Sequence, residues 1–187
     1  MKRIAVIYHS RHGNTARFAE QVVAGAQALP SVEVSLLQAE ALIKAPEALI
    51  DFDGLIWGSP TYLGGVSGPF KSFMDATGGL WRRQDLKGKL AAAFTVSALP
   101  SGDKQSTLLS LLVFSMQHGM LWVGNPILPE QQDGVPEEQA ANRLGSWTGA
   151  MAQAGHGGAA GNFAAGDLKT ARLFGENFAR ALQRIAS

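Results

Sequence analysis

The sequence predicts an α/β fold, a doubly wound parallel sheet sandwiched in three layers, α/β/α. Three observations predict it. Short apolar, β-branched runs alternate with helix-compatible stretches, small-residue turns follow several of those runs, and the chain closes on a long amphipathic segment. With 187 residues, 46% hydrophobic and 17% charged, the material suffices for one well-filled domain over 1–187 and not for two generous ones.

The first run, Ile4-Ala5-Val6-Ile7-Tyr8, reads as a buried parallel strand feeding a helix whose inner face carries Thr15, Ala19, Val22, Val23 and Ala26. Strands are expected next at Val32 to Leu37, Gly54 to Gly58, Leu90 to Val96 and Met120 to Gly124, five in all. Ser67 and Pro69 mark a helix entry after the third. Pro126 to Gly145, rich in Pro, Gln, Glu and Gly, is an excursion between the last strand and the final helix, at the rim of a site or at a subunit contact, with a further helix start at Ser146. Leu168 to Ile185 is the closing helix, with Asp167 as its N-cap and Ala171, Phe174, Phe178, Ala181, Leu182 and Ile185 on one face.

In such folds ligands lie beyond the carboxyl ends of the strands, so the segments after strands one, three and four should share one crevice. The first, Ser10-Arg11-His12-Gly13-Asn14-Thr15, opens a helix. There the unpaired N–H groups and the positive end of the dipole converge on an anion, with the Ser10 and Thr15 hydroxyls as further donors. The alternative is an ordinary turn capped by Ser10 or Asn14. The chain has no Gly-x-x-x-x-Gly-Lys-Ser/Thr and its first turn has no Gly-x-Gly-x-x-Gly, while the glycine run from Gly155 to Gly161 follows no convincing strand. A phosphate monoester therefore fits better than a nucleoside triphosphate or a dinucleotide. After the third strand, Gly58 to Lys71 is dense in Gly, Pro and hydroxyl residues, a surface on which a flat ligand can lie. Ser97-Ala98-Leu99-Pro100-Ser101-Gly102-Asp103 is a second small-residue loop.

Composition excludes several classes. Net charge is +1 with scattered basic residues, which argues against nucleic acid as a partner. No apolar stretch is long enough for a membrane span or a signal-peptide core, so a soluble, cytoplasmic protein is expected. With no cysteine, thiol chemistry is excluded and redox work must belong to a bound cofactor. His156 has no matching ligand spacing and no metal site is expected. His9 precedes the first loop and points at the flank of the sheet. No Ser/His/Asp set falls in one crevice.

Four motifs resemble one family. Ser-x-x-Gly-Asn-Thr at Ser10–Thr15, Gly-Ser-Pro-Thr-Tyr-x-Gly-Gly at Gly58–Gly65, Thr77-Gly78-Gly79-Leu80-Trp81 and His118-Gly119-Met120 are similar, in order and over nearly the whole chain, to the flavodoxin-like NAD(P)H:quinone oxidoreductases named after the tryptophan-repressor-binding protein. The resemblance implies the flavodoxin-like strand order 2-1-3-4-5. It also implies FMN as cofactor, NADH or NADPH as electron donor and a quinone-type acceptor. Ser10, Arg11, His12, Gly13, Asn14 and Thr15 would hold the phosphate, and Pro60, Thr61, Tyr62, Leu63, Gly64 and Gly65 would lie along the ring. Ser97, Ala98, Leu99, Ser101 and Gly102 would complete the ring's surroundings. His118 would approach the flavin, and Trp81 would wall the pocket above it. The third loop is poorer in glycine than the family's usual one, and Arg11-His12 add positive charge.

Two side chains keep a second reading. Trp81 also reads as a cover on the core edge, and His118 as a helix C-terminal group. Asn142 to Trp147 would close over the pocket. The family's dimers or tetramers would place Trp147 or Trp122 at an interface, or else either belongs to the core. An electron-carrier flavodoxin and an NAD(P)H-dependent FMN reductase are the alternative activities.

Overall fold

The computed structural model describes residues 1–155 and 162–185. His156 and the rest of the glycine run after Gly155 lie outside them. Strands β1 (Lys2–Tyr8), β2 (Val32–Gln38) and β3 (Gly54–Tyr62) pair in parallel, and β5 (Leu90–Ser97) and β6 (Leu121–Trp122) extend the sheet beyond β3. The order is β2-β1-β3-β5-β6, with the two-residue β4 (Gly65–Val66) folded back on the end of β3. This is the expected order 2-1-3-4-5. Helices α1 (Asn14–Ala26) and α6 (Ala165–Ile185) cover one face. The other carries α3 (Gly68–Ala76), α4 (Gly78–Arg83) and α5 (Lys104–Gln117), with the short α2 (Ala39–Leu42) following β2.

The alternation of β1 sorts the two cores. Ile4 and Val6 point towards α1 and α6, Ala5 and Ile7 towards α3 and α5. On the second side Trp57 sits 6.1 Å from Phe73 and 5.4 Å from Phe114, ring to ring, and its Nε1 donates to Ser115 Oγ at 2.9 Å. On the first side α1 and α6 meet backbone to backbone. A Cβ on Gly25 would stand 1.9 Å from the Arg172 carbonyl oxygen, and one on Gly175 would stand 2.0 Å from that of Val22. Only reciprocal glycines allow this approach.

The fifth strand differs from expectation. Only Leu121–Trp122 of the run Met120 to Gly124 is strand, opposite Leu90 and Ala91, and the strand resumes as β7 (Ala150–Gln153), opposite Phe94 to Ser97. The excursion therefore splits the strand itself. Pro126 and Pro129 lack the N–H a ladder needs, and the chain leaves the sheet through short 3-10 turns at Glu130–Asp133 and Glu137–Gln139. Two buried asparagines pin its ends together. Asn125 bonds Trp147 and Ser146 carbonyls, both at 2.8 Å, and Asn142 Nδ2 donates to the Ile127 carbonyl at 2.8 Å.

Three smaller expectations are also corrected. No helix starts at Ser146, whose hydroxyl donates to the Gly149 carbonyl at 2.6 Å and closes a turn. Asp167 is no N-cap: α6 begins at Ala165, and Asp167, 1% exposed, turns inward to accept two bonds from Arg143. Ile185 is 60% exposed, so the buried face of α6 ends at Leu182. Among the described residues no helix is long and apolar enough to cross a membrane.

Candidate functional site

The first loop leaves β1 at Tyr8 and turns into α1 through Gly13, whose φ of +83° is open to glycine at little cost. The N-cap position is held by Gly13, which has no side chain to cap the helix, and Ser10 Oγ makes no hydrogen bond. His9 anchors the loop from behind. Its backbone N–H donates to the Gly58 carbonyl at 3.0 Å, its Nδ1 meets Ser67 Oγ at 2.7 Å and its Nε2 lies 3.4 Å from Glu40.

This Ser67–His9–Glu40 arrangement resembles a hydrolytic set, which sequence reasoning missed. Ser67 is 1% exposed, so its hydroxyl is closed to a substrate and its bond to His9 acts as a buried tie. Ser67 holds the N-cap position of α3 with a proline in the first turn, as expected. Its hydroxyl ties the first loop to the second instead of capping.

The second loop is a hairpin. Leu63 and Gly64 take φ of +48° and +80°, a type I′ turn, and β3 runs through Pro60 and Thr61 to reach it. Thr61 points inward, 2.7 Å from both Thr95 Oγ1 and Thr107 Oγ1, so its hydroxyl binds β3 to β5 and α5.

The three loops converge, as the strand order requires, on a cleft enclosing about 140 Å³. Ser10, Arg11, His12, Asn14 and Thr15 line it from the first loop, Pro60 and Tyr62 from the second, Ser97 and Ala98 from the third. Val96, Ala154 and Gly155 complete it, the last two brought by β7. Ser10 Oγ is buried there without a hydrogen-bond partner, an arrangement that costs free energy unless a ligand accepts the bond. No carboxylate lines the cleft among the described residues, and the Arg11 charge opposes the burial that raises the Tyr62 pKa. The enclosed part has the size of a phosphate with a few attached atoms. At the loop tips Tyr62, Leu63 and Leu99 stand 40%, 109% and 57% exposed, and Tyr62 also lines the cleft.

Trp81 and His118 lie elsewhere. They share a cavity of about 500 Å³ between α3, α4 and α5, with no lining residue in common with the cleft. His118 is the C-cap of α5, and the fourteen-residue helix puts it about 21 Å from the third loop at the helix's other end. In a single chain His118 does not reach a ring held by that loop. Thr77 Oγ1 donates to the Met74 carbonyl at 2.7 Å, so it accepts from His118 Nε2 at 3.0 Å, leaving Nδ1 as a buried lone pair without a partner. Burial lowers the His118 pKa. Trp81, half exposed, is a cavity wall and not a core cover.

The segment from Asn142 to Trp147 does not close over the cleft. Asn142 is buried, and Arg143 to Thr148 face Pro100, Ser101 and the start of α5 across a separate groove of about 710 Å³. Trp147 is half exposed in that groove, whereas Trp122 packs against the core and donates to the Thr148 carbonyl at 2.9 Å.

Known proteins match this architecture. The family model of NADPH-dependent FMN reductase matches residues 38–133. An NAD(P)H dehydrogenase (quinone) of Archaeoglobus fulgidus is 33% identical, covering 99% of this chain and 100% of its own. Flavodoxin FldP of Pseudomonas aeruginosa is also 33% identical, over 99% of both chains. A flavodoxin, WrbA-like protein from Agrobacterium tumefaciens superposes with a TM-score of 0.74 at 32% identity, over 98% of this chain and 99% of that one.

Proposed function

The chain belongs to the flavodoxin-like, FMN-binding NAD(P)H:quinone oxidoreductase family, and on that premise we propose that it carries two electrons from NADH or NADPH to a quinone-type acceptor in the cytoplasm. The observation that carries the reading is the cleft beyond the strand ends: an uncapped helix start, an orphaned Ser10 hydroxyl, Arg11 and His12 at the mouth and no carboxylate among the described residues. These residues fit FMN. Its dianionic phosphate answers the free donors, and its flat ring answers the exposed Tyr62, Leu63 and Leu99.

When bound, FMN supplies the hydride-accepting and electron-donating ring chemistry. The chain's part is to hold and shield it. Ser10, Thr15 and the amides of α1 take the phosphate, the hairpin at Leu63-Gly64 offers a flat backbone, and the third loop closes the opposite side. No side chain in the cleft is needed as a general base. Donor and acceptor occupy one place in turn, which gives ping-pong kinetics.

A second copy enters this reading. Trp81 and His118 sit one helix length from the cleft of their own chain, so they meet a flavin only if it belongs to another chain. Leu109, Val113 and Met116 form a stripe along α5, each 44% exposed or more, running towards the same cavity. A dimer or tetramer using this face assembles the whole site.

The test is a titration of apoprotein with FMN, followed by anaerobic NADH or NADPH and then a quinone. Saturable uptake, full bleaching and recovery of the yellow colour on adding quinone are expected. Uptake with no bleaching would leave an electron-carrier flavodoxin, the reading the Pseudomonas relative's name favours. In the same assay Gly13→Val, forced to φ +83°, should lose FMN affinity by about tenfold or more, since a β-branched residue there costs more than 1 kcal/mol. Wild-type uptake by that variant contradicts the placement of the phosphate.

A further inference from the structure

Lys104, the first residue of α5, is 0% exposed. Its ammonium donates to Ser97 Oγ at 3.0 Å and to the Leu99 carbonyl at 2.5 Å, and Ser97 Oγ donates in turn to Leu99 at 3.3 Å. The third loop is thus wrapped around a buried cation. Its other side, at Ser97 and Ala98, lines the cleft.

The charge around Lys104 does not balance. Asp167 on α6 attracts it and Arg143 on the excursion repels it. Asp167 already accepts Arg143 Nε at 2.8 Å, Arg143 Nη2 at 3.0 Å and the Gln153 backbone N–H at 3.0 Å. Glu137, an exposed residue, lies 3.6 Å from the far side of Arg143, and Asp103 precedes Lys104 on its own element. Among the described residues the buried cluster therefore holds two cations and one anion, and no carboxylate touches Lys104. Burial accordingly lowers the lysine's pKa to about 8. Burying an ammonium without a carboxylate partner costs free energy that two hydrogen bonds to neutral oxygens do not fully offset, so the charge needs a reason beyond them.

We propose that Lys104 is a positioning residue that presses a positive charge against the back of the third loop, so that FMN on the loop's front is held more tightly when reduced than when oxidised. The inference rests on the cofactor reading above. Hydride delivery adds two electrons and one proton to the ring, which leaves it one charge more negative, and Lys104 supplies the missing counter-charge through the loop. The cation that is uncompensated in the free protein becomes compensated when the ring is reduced.

The experiment compares FMN affinity in the oxidised and the two-electron-reduced form for wild type, Lys104→Met and Lys104→Arg. Lys104→Met is expected to bind oxidised FMN within about threefold of wild type and reduced FMN about tenfold more weakly, the equivalent of about 30 mV in the two-electron potential. Lys104→Arg restores most of the difference. If Lys104→Met fails to fold, the pH profile of the wild type decides. Reduction raises the lysine's pKa, so the preference for reduced FMN is fully present below about pH 8 and is lost as pH rises through the raised value. A preference constant from pH 7 to 9.5, or equal weakening of both forms by Lys104→Met, overturns the proposal while leaving FMN as cofactor. Wild-type protein that takes up no FMN overturns both.

Discussion

At the residue scale, two histidines do unlike work, and neither role follows from the residue type. His9 bonds Ser67 and approaches Glu40, a staple between two loops. His118 is held by Thr77 in one tautomer with Nδ1 bare. A buried neutral histidine ties stability to pH. Its folded pKa lies below the ordinary 6.5 because burial disfavours the imidazolium. The stability it contributes is therefore fully present above pH 6.5 and is lost as pH falls below that value towards the depressed one. Melting temperature measured from pH 7.5 to 5 should fall in this window, and His118→Gln, which keeps a donor for Thr77, should flatten that part of the curve. A parallel decline in the variant assigns the acid sensitivity to other groups.

At the element scale, the helix pair α1–α6 carries the sharpest constraint. The carbonyls of Val22 and Arg172 occupy the space a Cβ would need on Gly175 and Gly25, and backbone cannot swing aside as a side chain can. Gly175→Ala gains helix propensity, worth under about 1 kcal/mol, yet forces the helices apart, a net loss of about 2 kcal/mol or more. Equilibrium urea unfolding checks this, and an unchanged or raised midpoint refutes the close crossing.

The sequence showed β1, β2 and β5 within a few residues because each is a run of β-branched and aliphatic side chains, but it showed β3 only as far as Gly58, because Ser59, Pro60, Thr61 and Tyr62 read as loop and are strand in the fold. It also placed the loops after strands one, three and four, since Gly, Pro and Ser mark turns. It did not show β7. Ala150-Met151-Ala152-Gln153 has no β-branched residue, and only its pairing with β5 makes it a strand. Ala154 and Gly155 were missed as cleft residues for that reason. Lys104 gave no signal either, because a lysine after a loop reads as surface until the fold buries it. Asp167 was misread as a cap because an acid at a helix start has two uses, and only the position of Arg143, 24 residues earlier, selects the second.

At the whole-molecule scale, the placement of the Trp81–His118 cavity bears on the proposed assembly. In a doubly wound sheet α5 runs antiparallel to the strands, so its start lies at the cofactor edge and its end at the opposite edge. The resemblance that puts His118 near a flavin and the geometry that keeps it about 21 Å from its own third loop are compatible only between chains. Val113, 52% exposed on α5 and lining that cavity, is central to the face that would be covered. Val113→Glu adds a charge there and leaves the phosphate loop untouched. Self-association should weaken by about a hundredfold, the effect of burying an unpaired charge at an interface. FMN affinity should stay within about threefold, the change expected when no cofactor contact is altered. Turnover of NAD(P)H with quinone should fall with the fraction of assembled protein and recover at high concentration. Sedimentation velocity alongside concentration-dependent turnover measures both. A wild-type protein that sediments as a monomer at full specific activity would show that one chain suffices, and would remove Trp81 and His118 from the site.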